Sequence, residues 1–439
     1  MLKKMRFNWK HQMSLHKHNH VFVKFFVLIL LLGLAFRLFF SHSTSFPPVT
    51  ESPFLEKAVS IQSPAPAETP VSVDAPEVDD QTPQKGLIPE KCDLFTGDWI
   101  PNPSGPVYTN ESCSFIEEHQ NCMRNGRPDS EYLYWRWSPR DCELQRFNAE
   151  KFLELMRNKA WALIGDSISR NHVQSLLCVL SKVEKAVQVY HDEEYRSRIW
   201  YFPSYNFTLS VIWSPFLVKA AIFEDINGIS TSEVQLYLDK LEKNWTDQYQ
   251  SLDYMIISGG QWFLKSAVYH ENDTIVGCHY CSDKSLTELG FGHAYRKALH
   301  LVLNYIATSN HKGLILFRTS TPDHFENGEW HNGGTCDRKR PFKEGEIEAK
   351  LAERVLREIE LDEFAKAESI ASENGVKLKL FDTTQLSLLR PDGHPGPYRH
   401  FQPFAVDKNA KVQYDCLHWC LPGPIDSWND LLMELVVNG

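Results

Sequence analysis

Residues 161–180 change their hydrophobic period at a single glycine, and that change restricts the surrounding chain to one local shape. Trp161-Ala162-Leu163-Ile164 is a continuous apolar run, short enough only for a strand buried on both faces, and Gly165 closes it. Beyond Ser167, the residues Val173, Leu176, Leu177 and Leu180 fall at i, i+3, i+4 and i+7, the apolar stripe of a helix. In a parallel sheet, this strand, turn and helix put Ser167 at the carboxyl end of a strand, where open α/β folds bind ligands. Free N–H groups and the positive end of the helix dipole favour developing negative charge there. Asp166, just before the serine, is read as shaping the turn.

A serine hydroxyl is a weak nucleophile until a base takes its proton and a third group orients that base. Near the far end of the chain, Asp415-Cys416-Leu417-His418 offers a carboxylate and an imidazole at a spacing that lets them work together. We therefore expect a catalytic set of Ser167, Asp415 and His418, in which His418 is the base and Asp415 fixes its tautomer. Taken alone, Gly165-Asp166-Ser167 reads equally well as a turn and helix cap. His324 is a rival base by residue type. Acyl chemistry also needs donors for a tetrahedral oxyanion. Ser258-Gly259-Gly260-Gln261 follows an apolar run, so Gly259, Gly260 and Gln261 are candidates beside the Ser167 amide, with Asn171 and Arg170 in support.

The N-terminus has a different texture. Residues 21–40 are apolar except for Lys24, Gly33 and Arg37, which predicts a transmembrane signal anchor behind a basic cytosolic tail over 1–20. The short apolar core leaves a cleaved signal peptide as the alternative. Either way, the remainder faces an oxidising lumen. All ten cysteines lie there: Cys92, Cys113, Cys122, Cys142, Cys178, Cys278, Cys281, Cys336, Cys416 and Cys420. An even set reads as a disulfide framework whose pairing the sequence leaves open. Cys278-His279-Tyr280-Cys281 lacks two further ligands at a diagnostic spacing, so a disulfide is expected there and no metal. Asn110, Asn206, Asn244 and Asn272 open glycosylation motifs that fit the same compartment. The net charge of −10 conceals seven basic and no acidic residues in the first forty, which leaves −17 on the rest. Such a body repels nucleic acid and anionic lipid but not a neutral polymer.

Residues 41–90 contain nine prolines and cannot build a core, so an extended, disordered stem is expected. A Cys- and Trp-rich subdomain follows over 91–148, and the catalytic domain occupies 149–439. Within it, helices are predicted over 148–159, 233–243, 286–308, 344–373 and 424–437. Strands are predicted over 207–213, 254–257, 314–317 and 378–381, besides the opening one, with a long loop over 390–414. The alternation predicts an α/β fold with helices on both faces of a central parallel sheet.

Gly165-Asp166-Ser167-x-x-Arg170-Asn171-x-x-x-Ser175-Leu176-x-Cys178, with the distant Asp415-x-x-His418, resembles the trichome birefringence-like proteins. These are a plant polysaccharide O-acetyltransferase family related in fold to the Gly-Asp-Ser (SGNH) esterases, and the likeness runs from about Cys92 to the C-terminus. It implies a three-layer α/β/α domain with a disulfide-tied N-terminal module, in which Cys420 partners one of the N-terminal cysteines. It also implies transfer through an acetyl-Ser167 intermediate, with acetyl-CoA or another acetyl carrier as cosubstrate and no bound cofactor. No clear counterpart of the Asn of the third esterase block is present, with Gln261 or Asn171 as its substitute, which leaves the oxyanion donors open. The segment from Arg318 through His324 and Trp330 to Cys336 resembles another family block, implying an acceptor groove that Arg318 and Trp330 line and to which Trp419 adds a sugar platform. Cys278-His279-Tyr280-Cys281 resembles the xyloglucan-acting members, so xyloglucan is the first acceptor, with xylan, mannan and pectin as alternatives. The same triad with water as acceptor would make an acetylesterase. The implied setting is the Golgi membrane, single-pass type II, with the catalytic domain in the lumen.

Overall fold

The computed structural model describes residues 92–224 and 230–438. The tail, anchor and stem expected over 1–90 lie outside them. Among the described residues, no helix is long and apolar enough to cross a membrane.

The described residues open with two antiparallel strands, β1 (Gly97–Pro101) and β2 (Trp135–Pro139). There follow α1 (Ala149–Leu155), β3 (Ala160–Gly165), α2 (Ser167–Leu180), β4 (Val187–His191), β5 (Arg198–Phe202), β6 (Phe207–Trp213), β7 (Val218–Ala221) and β8 (Val234–Leu241). The second half adds α3 (Lys243–Thr246), β9 (Tyr254–Ile257), β10 (Ala267–Glu271), β11 (Thr274–His279), α4 (Phe291–Ala307), β12 (Leu314–Arg318), α5 (Leu351–Asn374), β13 (Lys377–Phe381), α6 (Thr384–Leu388) and α7 (Asp426–Val437).

Seven strands form the central sheet in the order β13-β12-β9-β3-β6-β5-β4. The first five run parallel, as expected; β5 and β4 add an antiparallel flank that the sequence reading omitted. Because side chains alternate along a strand, Trp161 and Leu163 of β3 enter one core with residues of α2 and α7. Ala162 and Ile164 enter a second core with residues of α4 and α5. Both faces are therefore covered, which makes the domain a three-layer α/β/α sandwich.

Asn148 caps α1 through the Lys151 amide, at 2.9 Å. The helix stops short of the predicted end, and Asn158 beyond it is left-handed at φ 61°. α4 starts only after Gly290, whose φ of 76° no helix continues through. α5 starts at Leu351, where the Glu353 carboxylate reaches back to the Lys350 amide at 2.8 Å. The helix predicted over 233–243 is wrong. That segment is strand β8, with Val234, Leu236 and Leu238 buried on alternate positions, in a second sheet of order β11-β10-β8-β7. Its leucines at two-residue spacing carried the true period, and its charged residues disguised it.

The ten cysteines form five disulfides: Cys92–Cys142, Cys113–Cys178, Cys122–Cys420, Cys278–Cys281 and Cys336–Cys416. Two of these tie the N-terminal module to α2 and to the tail, and Trp99 and Trp137 share the core of α2 and α7. Asn206, Asn244 and Asn272 are exposed, and Asn110 is half-buried.

Asp426 joins three of these parts. It accepts from Tyr108 at 2.7 Å, from Ser175 at 2.5 Å and from the Gly423 amide at 2.9 Å. Burial pushes its carboxyl up to about 6, with the Ser175 and Tyr108 bonds opposing. A folded value above the ordinary ~3.9 means the folded state holds the extra proton, so the contribution is full below pH ~4 and lost as pH rises through about 6. Urea unfolding of the wild type should lose about 2 kcal/mol more than Asp426→Asn between pH 4 and pH 7. Equal losses in the two proteins would contradict this reading.

Candidate active site

β3 ends at Gly165 against the end of β9, where the Ser258 amide donates to the Ile164 carbonyl at 3.0 Å. A Cβ on Gly165 would lie 2.5 Å from the Ser258 carbonyl oxygen, so only glycine permits this approach. Asp166 caps α2 by accepting from the Ile168 amide at 2.9 Å, the turn-shaping role expected of it. Ser167 is thus the first residue of α2, with its N–H among those that have no carbonyl to bond inside the helix.

His418 approaches Ser167 from a position 251 residues away, with Nε2 at 2.8 Å from Oγ. Its Nδ1 lies 2.9 Å from Asp415 Oδ2, while the His418 amide donates to Asp415 Oδ1 at 3.0 Å. With Nδ1–H donating to the carboxylate, Nε2 is left as the acceptor for the serine proton. Burial alone would raise the Asp415 carboxyl, but the adjoining His418 ring and the Arg399 charge hold it well below the usual carboxylate range. The arrangement can take a proton from a hydroxyl and return it to a leaving group.

The short segment carrying His418 is pinned on every side. Cys416 and Cys420, two residues to either side, are bonded to Cys336 and Cys122. Asn171 grips the next residue with both ends of its amide: the Trp419 N–H donates to Oδ1 at 2.7 Å, and Nδ2 donates to the Trp419 carbonyl at 3.2 Å. The Cys420 amide donates to Gly393, the Leu421 amide to Gln120, and the His394 ring to the His418 carbonyl at 2.7 Å.

Several expectations need correction. Trp419 is fully buried, and Arg318 is 2% exposed, so neither can line a groove. Arg318 instead braces the turn from below, donating to Ser258 Oγ at 2.7 Å, which in turn lies 3.0 Å from Ser169 Oγ. Burial lowers its guanidinium to about 10, with Asp166 and Glu360 opposing. Trp330 is 43% exposed and free to meet solvent. Asn171 is committed to Trp419, and Gln261 donates to the Thr321 carbonyl at 3.0 Å. Those side chains hold the scaffold, which leaves backbone N–H groups of Ser167 and of the Gly259-Gly260 loop as the oxyanion candidates. Gly260, at φ 138°, packs so closely that a Cβ would lie 2.6 Å from Ser320 Cβ. Arg170 is half-buried, its guanidinium 4.9 Å from the Trp213 ring centre. His324 is buried, with both ring nitrogens engaged by His394 and by the Leu388 carbonyl, so it is no rival base.

One neighbour of the site was missed. His119 of the N-terminal module packs edge-on against His418, ring centres 5.9 Å apart, behind Glu117 and Arg198, which pair at 2.6 Å. Burial and the nearby His418 push His119 down to about 4. No periodicity marks it; its one signal is the half-cystine three residues on, whose partner only the fold reveals.

Residues 144–435 match the PC-Esterase family, a GDSL/SGNH-like acyl-esterase family found in Pmr5 and Cas1p, and residues 90–143 match the PMR5 N-terminal domain. The chain is similar to protein trichome birefringence-like 25 of Arabidopsis thaliana, 56% identical over 97% of this chain and 94% of the relative. Trichome birefringence-like 23 of the same plant is 54% identical over 99% of each. Xyloglucan O-acetyltransferase 1 of Populus trichocarpa is 43% identical over 79% of this chain and 81% of the relative.

The hydrogen-bond chain makes Ser167 the hydroxyl that a fluorophosphonate should label. Labelling should vanish in Ser167→Ala and slow by about 10³–10⁴-fold in Asp415→Asn, where the wrong tautomer faces the serine. Unchanged labelling in both variants would remove Ser167 from the chemistry.

Proposed function

Because the chain belongs to the PC-Esterase family of GDSL/SGNH-like acyl-esterases, we propose a double-displacement acetyl transfer centred on Ser167. The protein is a plant polysaccharide O-acetyltransferase. The hydrogen-bonded chain Asp415–His418–Ser167 is the observation that carries the mechanism.

His418 takes the Ser167 proton as Oγ attacks the acetyl carbonyl of the donor, acetyl-CoA or another acetyl carrier. The bond from the carbonyl carbon to the carrier breaks, and His418 returns the proton to the departing carrier atom. In the second half, a sugar hydroxyl gives its proton to His418 and attacks the acetyl-serine. The acetyl ester leaves on the polymer, and Ser167 recovers its proton. Backbone N–H groups of Ser167 and of the Gly259-Gly260 loop hold the oxyanion in both halves. The acceptor meets the exposed Trp330, whose face suits the apolar side of a sugar.

Xyloglucan side-chain sugars are the first acceptor, in keeping with the xyloglucan O-acetyltransferases among the relatives. The relatives at 52–56% identity name no acceptor, so xylan, mannan and pectin stay as the alternatives. We place the enzyme in the Golgi membrane, anchored through residues 21–40 with its catalytic domain in the lumen.

The purified lumenal part, given an acetyl donor and deacetylated xyloglucan, mannan, xylan and pectin, should acetylate one of the four, as mass spectrometry would show. Quenching without polymer should trap one acetyl group on Ser167, absent from Ser167→Ala. Release of free acetate with no acetylated polymer would make the protein an esterase instead.

A further inference from the structure

His324 and His394 form a buried pair behind the segment that carries His418. His324 Nε2 lies 2.9 Å from the Leu388 carbonyl, His394 Nδ1 lies 2.7 Å from the His418 carbonyl, and His324 Nδ1 lies 2.7 Å from His394 Nε2. A carbonyl oxygen only accepts, so each outer contact requires a proton on its ring nitrogen. Two neutral imidazoles carry two protons, and the outer contacts use both. The inner nitrogens would then face each other through lone pairs at hydrogen-bond distance, which repels. All three contacts are attractive together only when the pair holds three protons and one positive charge.

From this proton count we propose that His324 and His394 are positioning residues that share one labile proton, and that this proton completes the anchor on the His418 carbonyl. The assignment rests on the reading of His418 and Ser167 as the acetyl-transfer pair. The surroundings support a charge that is held but weakly. His394 stacks on Trp419, ring centres 4.3 Å apart, a face that attracts a cation. Asp415, Asp323 and Asp392 face the pair with favourable charge, while Lys350 and Arg127 oppose it. Asp323 is paired with Lys350, and Asp392 with Arg390, which reduces what they give. Burial works hardest against the charge and holds both rings below the ordinary histidine range. The proton is therefore taken up in acid and lost as pH rises. Once it is gone, one ring must turn away, and the His418 carbonyl or the Leu388 carbonyl loses its donor.

His324→Asn separates this role from mere packing. An asparagine amide N–H can reach His394 Nε2 from the position of Nδ1 without any labile proton, whereas His324→Leu offers no donor at any pH. Acetylation of Ser167 by donor alone would be followed by rapid quench across pH, and each variant's rate divided by the wild-type rate, so that the titration of His418 cancels. The Asn ratio should climb by about 10-fold as pH rises through the titration of the pair, less than the roughly 10²-fold that a 1 Å misplacement of a catalytic group costs. The Leu ratio should climb over the same interval from a lower starting point. Imidazole nitrogen NMR of the intact lumenal protein, which needs no turnover, should count three protons on the pair in acid and two above the transition. Ratios flat with pH, or two protons on the pair throughout, would overturn the proposal. Absence of any acetyl-Ser167 in the wild type, with three protons still counted in acid, would instead sink the acetyl-transfer reading and leave the proton count standing.

Discussion

The whole site depends on holding a short segment near the C-terminus against a turn at the end of β3. Left free, a chain segment loses roughly 1–2 kcal/mol of conformational entropy per residue when fixed, and a single hydrogen bond from imidazole to serine does not offset that for several residues. The molecule distributes the task. Disulfides reach Cys416 and Cys420 from Cys336 and Cys122, which lie 80 and 298 residues away, and the Asn171 amide clamps Trp419 between them. The imidazole then has little freedom left to lose when it meets Ser167, which is the physical meaning of a preorganised base.

The nucleophile side is as firmly set. α2 is buried nearly all round, not only along its apolar stripe, and two of its polar residues are held by partners inside the protein. Asn171 meets Trp419, and Ser175 meets Asp426 and Asn429. Below the turn, the buried Arg318 guanidinium donates to Ser258 Oγ just past the end of β9. Removing one partner from such a network costs more than the bond itself, because the group left behind has no water to turn to. Function and stability therefore share the same residues here.

Strands buried on both faces were legible as short apolar runs closed by a turn. β3, β9 and β12 carry that mark, while polar residues interrupt it in β6 and in the edge strand β13. The antiparallel flank of β5 and β4, with β4 at the edge, and the second sheet were not legible. β4 is exposed along its whole length, so it has no buried face to mark it, and in β8 Gln235, Asp239 and Lys240 hid the alternation of Val234, Leu236 and Leu238. Among the site residues, Ser167 declared itself through the strand–turn–helix pattern, and Asp415 and His418 through their mutual spacing. Arg318 and Trp419 were misassigned because residue type shows what a side chain can bind but not which way it faces. His119 went unnoticed because its role comes from where a disulfide puts it.

Local chemistry is written in the sequence: a period that breaks at Gly165 and a cap at Asp166. A carboxylate lies three residues before an imidazole, and ten cysteines are there to be paired. These depend on neighbours along the chain, whose sterics and hydrogen bonds act over a few residues. The meeting of His418 with Ser167, the pairing of Cys122 with Cys420, the burial of Arg318 and the shared contact of His324 with His394 depend on partners tens to hundreds of positions apart. Such contacts have no local signature. They exist only once both faces of the sheet are packed, because packing, and not spacing, decides which distant groups are brought within hydrogen-bond reach.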